Sequence, residues 1–483
     1  MKLPHTVAIS SITRGLRVTT SLTASSSFAA TRCLHTTKPD RTTWAVSDSS
    51  PGSPASSASP VVSPVASSQA PVLSCLPLAQ VLRTYFITSV SSSPLLLQTC
   101  LKTLRAMVDS SSPVTSVEKN PLLKLILRET FYKQFCSGTS QAEIQRNVQQ
   151  MRSIGYSGVI LEYALEVLAD AKISDTAKDV DIWRNGLLQT IDMASPGDFV
   201  GLKWSGLGPE ALQLLKQQKP PSALMDDAMR EVCTAAAAKR ISLLPAAEET
   251  TTLPTFHSWC LNLQKDYNRG HSVVYSTYQA YLKSTPATLA KHLSLAKTED
   301  FTLGVKLVRG AYLASEPRSI IWPDIGSTHA AYDALAEALL KKQFTGLLQP
   351  LHGSHAFDFA DINLVLATHN ANSVRKAQSI RAQQAAQNDS LVPLAYAQLQ
   401  GMADEVSCEL IMAGKANQAL SNGKNVDIPR AYKCTTWGSM EECLNYLLRR
   451  AAENKDAATR TAESRAAMGA ELRRRFKSAF RLI

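Results

Sequence analysis

The sequence has no run of about 18 consecutive apolar residues, which is the length that a transmembrane helix requires. Its most apolar stretch, residues 73–99, is interrupted by Gln80, Arg83 and three consecutive serines at positions 91–93. We therefore expect that no helix of this chain crosses a membrane.

Clustered cysteines are also missing from the sequence. Its nine cysteines form no CxxC pair and no group with histidine at metal-ligand spacing. In a chain of 483 residues this distribution predicts free thiols in a reducing compartment, with neither a disulfide framework nor a metal site. The sequence also lacks a GxGxxG segment, a P-loop and a nucleophile elbow. Motifs of these kinds therefore give no indication of a cofactor.

Acidic residues are absent before Asp40, whereas residues 1–45 contain six lysines and arginines among many serines and threonines. That composition is typical of a mitochondrial presequence, with a disordered basic tail as the alternative. Residues 46–483 carry 45 basic and 39 acidic groups, an ordinary surface balance that gives no reason to expect nucleic-acid binding.

Composition divides the rest of the chain into four parts. Residues 46–72, rich in serine and proline, predict a disordered linker, and residues 73–150 predict a helical lead-in. In residues 151–458 short apolar segments alternate with longer helical ones, which predicts an α/β fold, a (β/α)8 barrel of the TIM type. The basic residues 459–483 predict a terminal helix or tail. The predicted strands are Gly158–Leu161, Phe199–Trp204, Ile241–Leu244, Ser272–Tyr275, Leu303–Val308, Ile362–Leu366, Val392–Ala397 and Ala431–Thr435.

Polar residues stand at several predicted strand ends, where a barrel of this type carries its working side chains. A single polar residue there could be structural, but several at equivalent ends predict a site. They are Lys203, Gln279, Lys306, Arg309 and the run Thr368-His369-Asn370.

A helix is predicted to begin after Gly438, where Ser439 and Glu442 form a capping box. One face of this helix carries Tyr446, Arg449, Arg450 and Glu453. An aromatic ring beside two guanidinium groups suits an apolar substrate that carries a carboxylate. A solvated surface helix, with Arg450 paired to Glu453, is the alternative.

Six segments span residues 200–454 in order: GLKWS (201–205), YSTYQAYLK (275–283), VKLVRGAY (305–312), ATHN (367–370), QLQGM (398–402) and YLLRRAAEN (446–454). Together they resemble the FAD-dependent proline dehydrogenase family, and the basic N-terminus with its long lead-in resembles the fungal mitochondrial members. The resemblance implies a distorted barrel that binds FAD at its C-terminal mouth and oxidises L-proline to Δ1-pyrroline-5-carboxylate, the first step of proline catabolism. It also implies transfer of the electrons to ubiquinone, by an enzyme bound peripherally to the matrix side of the mitochondrial inner membrane.

The resemblance also implies residue roles. Contacts with FAD are implied for Gln279, Lys306, Val308, Gly310, Thr368, His369 and Asn370. In the substrate pocket, a carboxylate-binding role is implied for Lys203, Arg449 and Arg450, a ring-packing role for Tyr312, Leu399 and Tyr446, and orientation of Arg450 for Glu453.

One departure from the family pattern lies at the third predicted strand, where Ala246 stands in place of an aspartate. Glu248 or Glu249 is the nearest substitute for the missing acid. A milder departure is Lys306 in place of an arginine, which keeps the positive charge.

A second departure is Cys434, where the family often has a tyrosine. The smaller side chain enlarges the expected pocket and leaves 4-hydroxyproline open as an alternative substrate, although Tyr432 or Trp437 could fill the space. Two further alternatives are a Schiff-base lyase that uses Lys203 or Lys306 and a relative that has lost activity.

Overall fold

The computed structural model describes residues 71–117, 119–164, 175–351, 359–421, 425–453 and 458–480, all within one compact unit, residues 68–483. The expected presequence and nearly all of the expected linker lie outside the described residues. In the described part of the chain, no helix combines the length and apolarity needed to cross a membrane.

Within the described residues, nine strands, all paired in parallel, form the sheet at the centre of the fold. Eight of them, β2 to β9, run in the order β4-β3-β2-β9-β8-β7-β6-β5, and a single bridge between Leu243 and Val274 joins the two ends of this path. The short β1 pairs with β9. The expected (β/α)8 barrel is therefore confirmed. The strands are β1 Cys136–Gly138, β2 Gly158–Tyr163, β3 Phe199–Leu202, β4 Ser242–Pro245, β5 Ser276–Gln279, β6 Leu303–Val308, β7 Ile362–Ala367, β8 Leu394–Leu399 and β9 Ala431–Trp437.

The position predicted for the fourth barrel strand, Ser272–Tyr275, is wrong, because β5 begins at Ser276. The side chain of Asn268 explains the shift. Its Oδ1 accepts from the backbone N–H groups of Val273 and Val274, both at 2.9 Å, and its Nδ2 donates to the carbonyl of Val274 at 2.8 Å. A side chain thus satisfies backbone groups that a strand would direct to its neighbours.

Helices alternate with the barrel strands and also precede and follow them. Helices α1 to α5 and β1 occupy the region before the barrel, and α15 packs beside α1. The α-helices are α1 Leu78–Ser91, α2 Pro94–Val108, α3 Pro121–Leu127, α4 Lys133–Phe135, α5 Gln141–Ile154, α6 Thr176–Met193, α7 Pro209–Lys216, α8 Ala223–Ala238, α9 Leu253–Tyr267, α10 Thr285–Thr298, α11 Ile325–Lys341, α12 Ala371–Ala386, α13 Asp404–Leu420, α14 Met440–Glu453 and α15 Ala458–Ala479.

Successive side chains of a strand point to opposite faces of the sheet, so alternate residues of each strand belong to different apolar clusters. On β6, Val305 and Leu307 pack outward against the helices, which leaves Lys306 and Val308 facing the barrel interior. The interior cluster is built from Ile160, Phe199, Leu244, Tyr275, Val365, Ala395, Ala397 and Tyr432. This alternation decides which strand residues can reach the mouth.

The basic C-terminal region is helical and is bound to the lead-in. The guanidinium of Arg475 donates to the carbonyls of Leu73 and Leu76, at 3.0 and 2.8 Å, and to the carboxylate of Glu471 at 2.6 Å. Arg465 donates to the hydroxyl of Ser92 at 3.0 Å. The arginines of α15 therefore join the two ends of the described chain.

Candidate active site

The carboxyl ends of the parallel strands surround one mouth of the barrel, and many of the predicted site residues stand there. Gln279, Val308 and Leu399 are the last residues of β5, β6 and β8, and Lys203 and Thr368 directly follow β3 and β7. The structure therefore brings the polar strand ends into a single region, as the barrel rule requires.

Lys203 is positioned by its neighbours in the GLKWS segment. Leu202 and Trp204 are buried in the outer cluster, and the carbonyl of Lys203 accepts a hydrogen bond of 3.1 Å from the indole N–H of Trp183. Gly201 lies opposite Glu162 of β2, and the Glu162 side chain occupies the space that a β-carbon at 201 would take. The glycine thereby places a carboxylate in the barrel interior.

Glu162 is a site residue that sequence reasoning missed. The hydroxyl of Tyr446 donates to its Oε2 at 3.4 Å, and the Glu162 charge helps to raise the pKa of the Cys434 thiol, for which burial is the larger cause. The positive charge of Lys306 acts on the same thiol in the opposite direction and partly offsets the rise in its pKa. Opposite charges from β2 and β6 therefore meet at Cys434 of β9.

The helix α14 presents the aromatic and cationic face that its spacing predicts. The capping box is confirmed, because the N–H of Ser439 donates to Glu442 at 2.7 Å and the N–H of Glu442 donates to the Ser439 hydroxyl at 3.2 Å. The guanidinium of Arg450 lies 5.5 Å from the ring centroid of Tyr446. Arg449 is half-buried, and the side chain of Glu453 lies outside the described residues.

Tyr446 lies in an environment that keeps its phenol protonated. Burial and the carboxylate of Glu162 raise its pKa well above the ordinary value, and the charge of Arg450 opposes this shift. The neutral ring is therefore available both as a hydrogen-bond donor and as an apolar wall.

The run Thr368-His369-Asn370 connects β7 to α12 through side-chain hydrogen bonds. Nε2 of His369 accepts from the backbone N–H of Leu399 at 3.1 Å, so this nitrogen carries no proton. Asn370 caps α12 by accepting from the N–H of Ser373 at 3.0 Å. These bonds tie the ends of β7 and β8 together.

Arg309 lies outside the barrel interior and supports this run. Its guanidinium donates to His329 at 2.9 Å, to the Thr368 hydroxyl at 2.6 Å and to the Ser373 hydroxyl at 2.7 Å, and it lies 4.2 Å from the ring centroid of Tyr332. It acts as a positioning residue for Thr368.

Gly310 and Tyr312 belong to the loop after β6. Gly310 has a φ of +133°, and the ring of Tyr281 fills the space where a β-carbon would project, so only glycine fits here. Half-buried Tyr312 lies in a loop that Glu316 anchors to the β4–α9 loop, through bonds to the N–H of Thr250 at 2.6 Å and to its hydroxyl. Glu316 has no signal in the sequence, because its partner is 66 residues away.

Glu248 compensates in part for Ala246, which follows β4 and stands where the family has an aspartate. Its carboxylate accepts from the hydroxyl of Ser205, and its carbonyl accepts from the amide of Gln279 at 3.0 Å. The loop after β4 is thereby bonded to the ends of β3 and β5, without a carboxylate at Ala246.

The space beside Cys434 is not filled by either aromatic residue considered from the sequence. Tyr432 packs on Phe199 at 5.0 Å between ring centroids and donates to the carbonyl of Gly197, at the opposite end of the barrel. Trp437 points outward, stacks on Tyr163 and donates to Thr190 at 3.1 Å. The expectation that one of them replaces the missing ring is wrong.

Comparison with known proteins identifies a family that matches this chain. The family described as "Proline dehydrogenase" matches residues 144–463. The chain is 27% identical to proline dehydrogenase 1, mitochondrial, of Caenorhabditis elegans over 78% of this chain and 62% of that protein. It is 28% identical to hydroxyproline dehydrogenase of Bos taurus over 72% of this chain and 82% of that protein.

A solved structure supports the fold. The crystal structure of proline utilization A (PutA) from Bdellovibrio bacteriovorus, inactivated by N-propargylglycine, aligns with a TM-score of 0.57 at 14% identity. The alignment covers 77% of this chain and 38% of that protein, so the similarity extends over only part of the longer protein.

Proposed function

The chain belongs to the proline dehydrogenase family, and we propose on that premise that it oxidises L-proline to Δ1-pyrroline-5-carboxylate with a bound FAD. The observation that carries the proposal is the face of α14 at the barrel mouth. There Tyr446 and Arg450 lie beside Leu399, which ends β8, and all three line one cavity. An apolar ring with a carboxylate is the ligand that such a wall suits.

Within this proposal the substrate is held by its carboxylate and its ring. Arg449 and Arg450, with Lys203 after β3, bind the carboxylate, and a guanidinium does so in a bidentate manner. Tyr446, Leu399 and Tyr312 pack against the pyrrolidine ring. The residues position the substrate and exclude water, and no separate base among them is required.

The residues of the mouth fit a flavin by the chemistry of their donor groups. The ammonium of Lys306 and the amide of Gln279 suit the carbonyl- and nitrogen-rich edge of the isoalloxazine ring. The backbone from Val308 to Gly310 lies at the carboxyl end of β6, and Thr368, His369 and Asn370 precede the N-terminus of α12. When bound, FAD supplies the two-electron acceptor for the oxidation.

The proposal extends to location and electron acceptor. The basic, acid-poor residues 1–45 suit import into the mitochondrion, which agrees with the name of the nematode relative. We place the enzyme on the matrix side of the inner membrane, bound peripherally, with ubiquinone as the acceptor.

The first experiment is the visible spectrum of the purified protein before and after anaerobic addition of L-proline. A flavin spectrum that proline bleaches supports the proposal. Flavin that proline leaves oxidised would indicate a different substrate or an inactive relative. A colourless protein that FAD cannot reconstitute would refute it.

Oxidation of 4-hydroxyproline is the second candidate function. The observation that favours it is that Cys434 lines the cavity at the barrel mouth and lies close to the carboxylate of Glu162, a hydrogen-bond acceptor for a ring hydroxyl. Cys434→Tyr should lower kcat/KM for 4-hydroxyproline more than for L-proline, because the phenol occupies that space. Cys434→Ser, of nearly equal volume, is the control. Equal losses with both substrates in Cys434→Tyr would reject this pocket as the determinant.

A further inference from the structure

A cavity of about 250 Å³ extends from the barrel mouth to the helices that precede the barrel. Its inner end is lined by His369, Leu399, Cys434, Tyr446 and Arg450. Its outer part is lined by α1, α2, α14 and α15, together with the loop after β8, Asp404 and Glu405 of α13, and Phe131 and Phe135. A ligand in the outer part would therefore lie next to the pocket proposed for the amino acid.

The cavity is larger than a proline ring requires. An apolar cavity of about 150 Å³ is sufficient for benzene, so the present one has room for a substituted six-membered ring. Of the residues proposed to contact FAD, His369 lines the inner end of the cavity, whereas Gln279 and Lys306 do not line it. The outer part is thus distinct from the cofactor position.

The outer wall is apolar and carries no charge where α1 and α2 form it. Their contribution includes Ile87, Leu97, Leu101 and Leu104, alongside the small polar side chains of Thr84, Thr88 and Ser91. The three hydroxyls lie on α1, where Thr88 and Ser91 donate to backbone carbonyls of their own helix. Such a wall favours an uncharged ring over a zwitterionic amino acid.

A polar acceptor is available in the same wall. Gln400, beside Leu399, lines the cavity, and its Oε1 is buried without a hydrogen-bond partner among the described residues. Its Nε2 donates to the carbonyl of Cys136 at 3.2 Å, which fixes the orientation of the amide. The free carbonyl suits a ligand that presents a hydroxyl group, as a reduced quinone does.

The same two helices expose apolar residues on their outer surface. Leu82 and Phe86 of α1 are 51% and 54% exposed, and Leu95 and Leu96 of α2 are 78% and 54% exposed. Exposed Lys102 and Arg105 lie on α2 as well. Exposed apolar groups beside cations suit a lipid surface, the phase in which long-tailed quinones dissolve.

We propose that the outer part of this cavity binds the ring of a membrane-soluble quinone, the electron acceptor of the proposed dehydrogenase. The inference rests on the proposed function. The overall reaction balances, because the amino acid loses two electrons and two protons as its C–N bond becomes C=N. The quinone gains the same two electrons and two protons, one on each carbonyl oxygen, as it becomes a quinol.

The test fills the cavity without touching the proposed amino-acid pocket. Leu101→Trp introduces an indole on α2 at the outer wall, and Leu97→Phe is a milder version of the same change. Leu96→Trp is the matched control, because Leu96 lies on the same helix, is exposed and does not line the cavity. All variants are first compared by flavin content and thermal unfolding.

Ubiquinone-1 is the probe, measured both by equilibrium binding and as the acceptor in turnover. Leu101→Trp should raise its Kd and KM at least tenfold, with a smaller rise for Leu97→Phe. Anaerobic bleaching of the flavin by L-proline and turnover with a water-soluble dye should change less than twofold. Leu96→Trp should leave every value unchanged.

Two outcomes would overturn the assignment. Unchanged quinone binding in folded Leu101→Trp and Leu97→Phe would place the quinone elsewhere. A parallel loss of flavin bleaching and quinone turnover would assign the whole cavity to the amino acid. Failure of the wild type to be bleached by L-proline would reject the proposed function instead, and ubiquinone-1 binding could still be measured.

Discussion

At the scale of single residues, the mouth of the barrel combines a carboxylate, a phenol and cations within a largely buried space. Glu162 accepts from Tyr446, both lie near Cys434, and the guanidinium of Arg450 lies 5.5 Å from the centroid of the Tyr446 ring. The carboxylate is tolerated in the interior because Gly201 leaves room for it and because the Tyr446 hydroxyl donates to it. Small changes here should alter substrate binding without disturbing the barrel.

The first prediction concerns Arg449. In Arg449→Met the KM for L-proline should rise about 10-fold to 100-fold, since a hydrogen bond to a charged group contributes about 1.5–3 kcal/mol. The flavin content should not change. Steady-state kinetics and the absorbance ratio of flavin to protein measure the two effects. Arg146→Met, an exposed arginine on α5, is the control. A loss of flavin that matches the loss of proline binding would contradict the assignment.

At the scale of elements, β9 shows how polar residues can belong to the interior of a sheet. It is the longest of the strands, and it pairs with β2, β8 and β1. Lys433 points away from the barrel interior to a buried ion pair with Asp404, 2.8 Å away, and donates to the carbonyl of Met402 at 2.7 Å. The pair fixes the loop that follows Leu399.

The second prediction tests this pair. The side chains of Lys433 and Asp404 are 3% and 1% exposed, so Lys433→Met leaves a buried, uncompensated carboxylate. We expect the free energy of unfolding to fall by about 3–5 kcal/mol, measured by urea denaturation. Lys341→Met breaks an exposed pair with Glu337 and should cost less than about 1 kcal/mol. Similar effects of the two substitutions would show that the buried pair is not a major contributor.

The third prediction concerns the contact between the lead-in and α13. The sulfur atoms of Cys75 and Cys408 lie 3.3 Å apart, and the hydrogen bond with Cys408 lowers the pKa of the Cys75 thiol to about 7. The thiolate therefore forms as the pH rises through about 7, and the rate of alkylation by iodoacetamide should be half-maximal there. Peptide mass spectrometry across a pH series measures this rate.

Cys408→Ala is the control for that measurement. Loss of the hydrogen bond should move the midpoint of the Cys75 profile up, toward the ordinary thiol value of about 8.5. An identical profile in both proteins would reject Cys408 as the cause.

At the scale of the whole molecule, neighbouring strands of the barrel differ in the number of residue pairs that join them. Between β2 and β9 six residue pairs are in register, whereas β4 and the segment before β5 are joined by the single bridge of Leu243 with Val274. Two backbone hydrogen bonds join them, from the N–H of Leu243 to the carbonyl of Val273 and from the N–H of Tyr275 to the carbonyl of Leu243. The hydroxyls of Ser242 and Thr277 add side-chain bonds to the carbonyls of Ser272 and Pro245. Backbone bonds are therefore fewer at this join than between β2 and β9.

The fourth prediction follows from this difference. Local opening begins where few backbone bonds join neighbouring elements. In hydrogen–deuterium exchange measured by mass spectrometry, peptides covering residues 242–248 and 272–280 should exchange earlier than those covering 158–163 and 431–437. Equal protection of the two pairs of peptides would mean that packing, and not the number of backbone bonds, governs opening of the barrel.

Local patterns in the sequence determined most of the elements of this protein. Apolar runs separated by helical segments identify eight barrel strands, seven of them overlapping their predicted positions, because strand and helix periods are local properties. Polar residues at strand ends, such as Lys203 and Gln279, likewise follow from the order of the elements. The assignment of the site residues to FAD and proline remains a prediction, because it came from resemblance.

Only the tertiary structure decided which distant residues meet. The start of β5 depends on the side chain of Asn268, and the position of Glu162 depends on the absence of a side chain at Gly201 on the neighbouring strand. The cavity depends on how α2 packs against α14 and α1 against α2 and α15. These features arise from contacts between residues far apart in the chain, which leave no periodic signal in the amino-acid sequence.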